Sequence, residues 1–235
     1  MTDRQTELIE RRAKLLEDLA EAASRAGRKP GDVRLVAVSK YHPASDIRDL
    51  ATSGQLDFGE NYVQEARDKQ DELSDLTLRW HFIGGLQSNK AKYVAGKFAL
   101  VHSVDSAKLL QAMDKKATGL GVVQDILLQV NIAGEEQKSG VTEEELPRLA
   151  EEAMAADGIR LVGLMTMPPF FDDPERARPV FARLRELRDG LSARLGVRLP
   201  HLSMGMTGDF VPAVEEGATL VRVGTRIFGQ RPTKV

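Results

Sequence analysis

Short apolar runs alternate with amphipathic segments along almost the whole chain. Residues 2–25 place apolar side chains on one face at helical spacing, which predicts an opening helix. Eight apolar runs follow, at residues 35–39, 56–58, 80–83, 100–102, 126–131, 161–165, 202–204 and 219–223. Amphipathic segments typical of helices lie between them, at residues 43–52, 63–73, 89–95, 107–117, 143–156, 174–195 and 209–216.

Eight strands alternating with helices predict a parallel sheet. In a chain of 235 residues this pattern favours a closed (β/α)8 barrel of the TIM type with an extra N-terminal helix, forming one domain over residues 1–235. An open doubly wound sheet is the alternative. The dinucleotide-binding fingerprint G-x-G-x-x-G does not follow the first strand, which continues as Lys40-Tyr-His-Pro-Ala.

Composition removes several classes of function. The chain has no cysteine, so disulfides and thiolate chemistry are excluded, and its four histidines lack metal-ligand spacing, so we expect no metal site. A net charge of −2 gives no general attraction to nucleic acid or anionic membranes. No signal peptide and no apolar stretch of roughly 20 residues is present, and we therefore expect a cytoplasmic protein.

Lys40 stands at the exit of the first predicted strand, where α/β proteins place their chemistry. An amine held in a partly desolvated site can be neutral and attack a carbonyl to form a Schiff base. The alternative is a lysine that reaches out to solvent or pairs with a loop carboxylate.

The last two predicted strands end in loops with the residues of a phosphate-binding cup. Glycines let the backbone approach an anion closely, and hydroxyls donate to its oxygens. The residues concerned are Ser203, Gly205, Thr207, Gly208, Gly224 and Thr225. Ordinary turn chemistry is the alternative explanation, since barrel loops commonly contain glycine and serine.

Arg222 lies between two valines in the last predicted strand. Alternation places it on the opposite side from Val221 and Val223, either among the outer helices in an ion pair or inside the barrel mouth. If it faces inward, it presents a permanent positive charge to the mouth.

Ordered motifs from end to end of the chain resemble those of the pyridoxal 5′-phosphate (PLP) homeostasis protein family, a group related to the N-terminal barrel of alanine racemase. The motifs are Ala37-Val-Ser-Lys40, Phe58-Gly-Glu-Asn-Tyr-Val-Gln-Glu65, Trp80-His-Phe-Ile-Gly84, Leu86-Gln-Ser-Asn-Lys90, Val130-Asn131, Lys138-Ser-Gly140, Gly163-Leu-Met165, Ser203-Met-Gly-Met206 and Val221-Arg-Val-Gly-Thr-Arg-Ile-Phe-Gly229. Two departures are Gly85, where many relatives have proline, and Thr207-Gly-Asp209, where Ser-Asp-Asp is commoner.

The resemblance implies a role for each matching residue. Lys40 matches the lysine that holds PLP as an imine, and Asn61 matches a residue near the cofactor ring. Arg222 matches the arginine that faces the pyridine nitrogen. The residues that match the phosphate-binding loops, or lie alongside them, are Ser203, Met204, Gly205, Gly224 and Thr225.

An arginine beside the pyridine nitrogen disfavours its protonation and makes the ring a weaker electron sink. A racemase also needs a second base, which alanine racemase takes from a separate domain region. We expect no such domain here, and the three tyrosines, Tyr41, Tyr62 and Tyr93, have no evident reason to face the ring. The expectation is a non-enzymatic protein that binds, buffers or delivers PLP and has no catalytic residues. PLP-dependent apo-enzymes are candidate recipients.

Two other functions stay open. One is a PLP-dependent amino-acid racemase that uses Lys40 as its base. The other is a cofactor-independent barrel, such as a sugar-phosphate isomerase with Lys40 as a Schiff-base lysine.

Overall fold

The computed structural model describes residues 1–135 and 137–230, so Glu136 and the last five residues of the predicted domain lie outside it. Within that range eight parallel strands pair in chain order and close into a barrel, with β1 bonded to both β2 and β8. The strands are β1 (Arg34–Val38), β2 (Asp57–Glu60), β3 (Arg79–Phe82), β4 (Leu100–Val104), β5 (Gln124–Gln129), β6 (Ile159–Met165), β7 (His201–Ser203) and β8 (Leu220–Val223). The predicted (β/α)8 barrel is confirmed, and the open sheet is wrong.

Helices connect most of the strands and form the outer layer. They are α1 (Asp3–Arg25), α2 (Ala44–Ala51), α3 (Val63–Glu72), α4 (Ala107–Gly119), α5 (Leu146–Met154), α6 (Arg178–Leu195), α7 (Phe210–Glu215) and α8 (Thr225–Phe228), with 3₁₀ turns at Pro30–Asp32, Ser88–Tyr93 and Pro174–Ala177. None of the helices in the described part of the chain combines the length and apolar character needed to span a bilayer.

Two predicted helices differ in the structure, and each difference has a local cause. The segment predicted at 89–95 is the 3₁₀ turn Ser88–Tyr93, where Ala91 alone is buried and no apolar stripe holds an α-helix in place. The segment predicted from residue 174 begins with a 3₁₀ turn, and α6 starts at Arg178 with Pro179 in its first turn. Proline is tolerated in the first turn because its missing N–H would lack a helical partner there.

The predicted N-terminal helix covers the side of the barrel where α8 is only four residues long. The Thr2 hydroxyl caps α1 by accepting from the backbone N–H of Gln5 at 3.1 Å. The helix packs against α2, α7 and α8. Its buried stripe is Leu8, Leu15, Leu19, Ala22 and Ala23.

Side chains alternate between the barrel interior and the layer under the helices. A small apolar cluster separate from the main core consists of Val36, Leu100, Leu127, Met165 and Leu220. Along β8, Val221 and Val223 belong to the main core, whereas Leu220 belongs to this interior cluster. Arg222 shares the face of Leu220, so it points into the barrel, and the outward-facing alternative is wrong.

A cavity at the carboxyl ends of the strands

A cavity of about 270 Å³ lies at the carboxyl ends of the strands. Its lining comes mainly from residues at or just beyond the ends of β1, β2, β3, β6, β7 and β8. They are Val38, Lys40, His42, Asn61, Ile83, Met167, Met206, Thr207, Gly208, Arg222, Gly224, Thr225 and Gly229. Ligands of parallel barrels bind at this end, because each strand delivers a different side chain to it.

The structure brings five of the eight predicted site residues to this cavity, which are Lys40, Asn61, Arg222, Gly224 and Thr225. The other three are not among its lining residues. Met204 is fully buried in the main core, and Gly205 packs against α7, where an added Cβ would stand 2.7 Å from that of Ala213. Ser203 is fully buried and hydrogen-bonded to Arg222. Direct contact of these three with a cofactor stays a prediction.

Lys40 occupies a tight turn at the end of β1. The N–H of His42 donates to the carbonyl of Ser39 at 3.0 Å, and Tyr41 has a φ of 68°. This conformation is unfavourable for a residue with a bulky side chain, so the surrounding contacts must hold it. The Tyr41 N–H donates to the Glu65 carboxylate at 2.5 Å, and the Tyr41 hydroxyl contacts the hydroxyl of Tyr62.

A buried ionic network lies beneath this turn. The Lys69 ammonium donates at 2.7 Å to the carbonyl of Ser39 and at the same distance to the carboxylates of Glu60 and Glu65. The Ser39 hydroxyl also donates to Glu60 at 2.6 Å. Burial raises the pKa of Glu60, although Lys69 opposes the shift. The network fixes the backbone on both sides of Lys40.

Arg222 forms part of the cavity wall on β8. Its Nη1 donates to the Ser203 hydroxyl at 2.5 Å, and its Nη2 donates to the carbonyl of Thr166 at 3.0 Å. Burial lowers the pKa of Arg222 to about 10, with Asp209 opposing the shift, so it stays charged at neutral pH. The wall therefore carries a positive charge that no carboxylate within residues 1–135 and 137–230 contacts directly.

Asn61 presents an unsatisfied acceptor in the same wall. Its side-chain oxygen is buried and has no hydrogen-bond partner among the described residues. Buried polar atoms are rarely left unpaired unless they serve a ligand or a water. The loop from β3 approaches so closely that a Cβ at Gly84 would stand 2.2 Å from the carbonyl oxygen of Asn61.

Sequence reasoning missed six residues of the cavity wall, which are Val38, His42, Ile83, Met167, Met206 and Gly229. His42 stacks on Phe228 with ring centroids 4.9 Å apart, and burial lowers its pKa. Met206 lines the cavity beside Thr207 and Gly208, in a loop that the Asp209 carboxylate holds by accepting from the Met206 N–H at 2.6 Å. The glycine and hydroxyl signal found Thr207 and Gly208, but no local pattern marks a histidine that stacks on a ring 186 residues away.

No group of three or more metal-binding side chains comes together within residues 1–135 and 137–230. The cavity instead combines a lysine, a permanently charged arginine, an unpaired amide oxygen and two glycine-rich loops. Fold and site together define a (β/α)8-barrel protein with a cavity at its mouth that is lined by a lysine and an arginine.

Comparison with known proteins identifies the family. The model of the family "Alanine racemase, N-terminal domain" matches residues 12–232. The pyridoxal phosphate homeostasis protein of Aquifex aeolicus is 47% identical over 222 residues, covering 94% of this chain and 97% of that protein. Its counterpart in Pseudomonas aeruginosa is 47% identical over 225 residues, covering 95% and 96%.

A solved structure agrees with these matches. PipY of Synechococcus elongatus, determined with PLP bound, is 40% identical with a TM-score of 0.80, covering 90% of this chain and all of PipY. The chain belongs to the pyridoxal phosphate homeostasis protein family, within the alanine racemase N-terminal domain family.

Proposed function

We propose that the protein binds PLP at the barrel mouth, held covalently by Lys40, and serves intracellular PLP homeostasis. The observation that carries the proposal is the position of Lys40 and Arg222 in one cavity, at the ends of paired strands β1 and β8. PLP supplies an aldehyde, which condenses with a lysine amine to a Schiff base with release of water.

The chemistry of the cavity fits this group. A carbonyl compound needs an amine, which Lys40 provides, and an anionic phosphate needs close backbone approach and hydroxyl donors, which the 206–208 and 224–225 loops provide. The positive charge of Arg222 suits an unprotonated ring nitrogen, to which the guanidinium can donate. The relatives named for PLP homeostasis, and PipY with PLP bound, support the same assignment.

We further propose that the protein turns over no substrate at an enzymatic rate. An arginine in place of a carboxylate leaves the pyridine ring a weak electron sink. Among the described residues that line the cavity, the side chains able to exchange a proton are Lys40 and His42, and no tyrosine is present. We expect the protein to act in the cytoplasm, where it would store PLP or release it to PLP-dependent apo-enzymes.

Borohydride reduction followed by peptide mass spectrometry tests the binding proposal. Wild-type protein should carry a pyridoxyl group on Lys40, and Lys40→Ala should lack it while keeping the wild-type circular dichroism. Lys138→Ala is the matched control, because the Lys138 amine donates to the carbonyl of Pro168 at 3.0 Å beside a neighbouring cavity. An adduct on Lys138, or no adduct after incubation with PLP, would contradict the proposal and favour a cofactor-independent barrel.

An amino-acid racemase that uses Lys40 as its base is the competing function, and the match to the alanine racemase N-terminal family favours it. Incubation of PLP-loaded protein with L-alanine or L-serine in deuterated water separates the two. We expect little deuterium at Cα over many hours. Enzyme-like exchange that Lys40→Ala abolishes would establish the racemase.

A further inference from the structure

A continuous chain of hydrogen-bonded side chains crosses the barrel interior behind the cavity. Asp57 Oδ1 lies 2.9 Å from His81 Nε2, and His81 Nδ1 lies 2.9 Å from His102 Nε2. His102 Nδ1 is 2.7 Å from the Ser203 hydroxyl, which accepts from Arg222 at 2.5 Å. Five strands contribute one member each, so the chain joins β2, β3, β4, β7 and β8.

Every member of this polar chain is nearly inaccessible to solvent, from 4% exposure at Arg222 to none at His102 and Ser203. The far end, Asp57, is the first residue of β2, where Arg79 also binds its carboxylate at 2.5 and 2.8 Å. A buried polar network is stable only when each donor meets an acceptor. The direction of each hydrogen bond in this polar chain therefore depends on the direction of its neighbours.

The protonation states allow one direction of donation. Burial lowers the pKa of both His81 and His102, so each ring is neutral and carries a single N–H. Burial alone would raise the pKa of Asp57, but hydrogen bonds from Arg79 and His81 hold it well below its usual range, and the carboxylate accepts. His81 therefore donates through Nε2 and accepts at Nδ1.

The hydrogen bonds between His81 and the cavity have a fixed direction as well. His102 donates through Nε2 to His81, which leaves its Nδ1 as an acceptor for the Ser203 O–H. The hydroxyl proton then points away from Arg222, and the oxygen lone pair faces the guanidinium. Arginine has donors only, so this orientation is the one in which Ser203 can bind it.

We propose that Asp57, His81 and His102 are positioning residues for Arg222, because their hydrogen bonds keep the Ser203 hydroxyl turned to accept from the guanidinium. The consequence for a bound pyridine ring rests on the proposed function. The direction of the hydrogen bonds in the polar chain does not depend on the proposed function, and it can be measured without PLP.

Ser103 offers a contrast on the next residue of β4. Its hydroxyl is buried yet has no hydrogen-bond partner within the described range, so it belongs to no network. Ser103→Ala therefore removes a buried hydroxyl one position from His102 without touching the polar chain, and it is the matched control.

The first measurement is the ¹⁵N imidazole spectrum of the protein before PLP is added. We expect His81 and His102 to be neutral at pH 7 and protonated at Nε2 alone. Protonation of His102 at Nδ1 would reverse the direction of donation and overturn the proposal. This outcome is independent of whether PLP binds.

The second measurement compares PLP uptake in His102→Phe, His102→Gln and Ser103→Ala. Phenylalanine cannot accept from Ser203, so we expect the PLP dissociation constant to rise about tenfold and the visible absorption band to shift. Glutamine offers a donor and an acceptor at similar spacing, so His102→Gln should largely restore the wild-type PLP affinity and absorption band. Ser103→Ala should match wild type in both measurements.

The two failures are distinguishable. If wild-type protein takes up no PLP, the proposed function is contradicted. The tautomer spectrum, which is recorded without PLP, still tests the direction of the hydrogen bonds. Folded His102→Phe protein with the wild-type band and affinity overturns the positioning role. Should His102→Phe fail to fold, the tautomer spectrum of the wild-type protein decides: a proton on His102 Nε2 supports the positioning role, and a proton on Nδ1 overturns it.

Discussion

The carboxylate of Glu65 accepts a 2.5 Å hydrogen bond from the backbone N–H of Tyr41, the residue that follows Lys40. The same carboxylate accepts from Lys69, which also binds the carbonyl of Ser39, the residue that precedes Lys40. Two side chains of helix α3 thus hold the backbone on both sides of Lys40. These contacts fix the turn that carries Lys40 at the cavity wall.

Loss of these contacts should weaken both the fold and PLP capture. Glu65→Ala removes the acceptor for the strained Tyr41 turn and one partner of Lys69, and we expect a loss of about 1–2 kcal/mol of unfolding free energy. Glu65→Gln keeps an acceptor and should fall between Glu65→Ala and wild type. Urea denaturation and the yield of borohydride-fixed pyridoxyl adduct measure the two effects.

Glu72→Ala is the control for this series, because Glu72 is an exposed carboxylate on the same helix. It should stay within about 0.5 kcal/mol of wild type. Equal behaviour of Glu65→Ala and Glu72→Ala would show that the Glu65 contacts do not stabilise the turn.

Reversal of the charge at residue 222 should increase side reactions of bound PLP. Arg222→Glu replaces the cation with a carboxylate that favours a protonated ring nitrogen, so we expect deuterium exchange at Cα of L-alanine to rise about tenfold, or ~1.4 kcal/mol in barrier. Arg222→Lys keeps a cation and should not raise the exchange. Circular dichroism establishes that each variant is folded; unchanged exchange in folded Arg222→Glu would mean that residue 222 does not act on the ring nitrogen.

Protonation of Asp57 should destabilise the folded protein in acid. The pKa of Asp57 is lower in the folded protein than the ordinary value of 3.8. The ionised carboxylate therefore contributes fully to the unfolding free energy above pH 3.8, and this contribution is lost as the pH falls below that value. We expect unfolding free energy to drop by on the order of 2 kcal/mol more in wild type than in Asp57→Asn between pH 5 and pH 2. Parallel curves for the two proteins would contradict this role.

The sequence predicted what depends on local periodicity and missed what depends on distant pairing. The barrel and the position of Lys40 followed from strands and helices that alternate at regular intervals. The inward direction of Arg222 stayed open, because alternation along a strand does not say which face is inside. The hydrogen bond from Ser203 to His102 joins residues 101 positions apart, and no pattern along the chain indicates such a contact.

Two adjacent glycines after β3 should respond in opposite ways to the same substitution. A Cβ at Gly84 would stand 2.2 Å from the backbone oxygen of Asn61 and 2.7 Å from its Cα, and neither atom can move without shifting the cavity wall. We expect Gly84→Ala to lower the unfolding free energy by about 2–3 kcal/mol and to weaken PLP binding through Asn61. Gly85→Ala meets no atom within 4 Å and should be neutral or stabilising by about 0.5 kcal/mol, because alanine reduces the entropy of the unfolded chain. Thermal denaturation and PLP titration of the two variants provide the measurement. Equal stability of the pair would mean that the close approach between the β2 and β3 loops is not needed, and an unchanged PLP affinity in Gly84→Ala would separate Asn61 from the site.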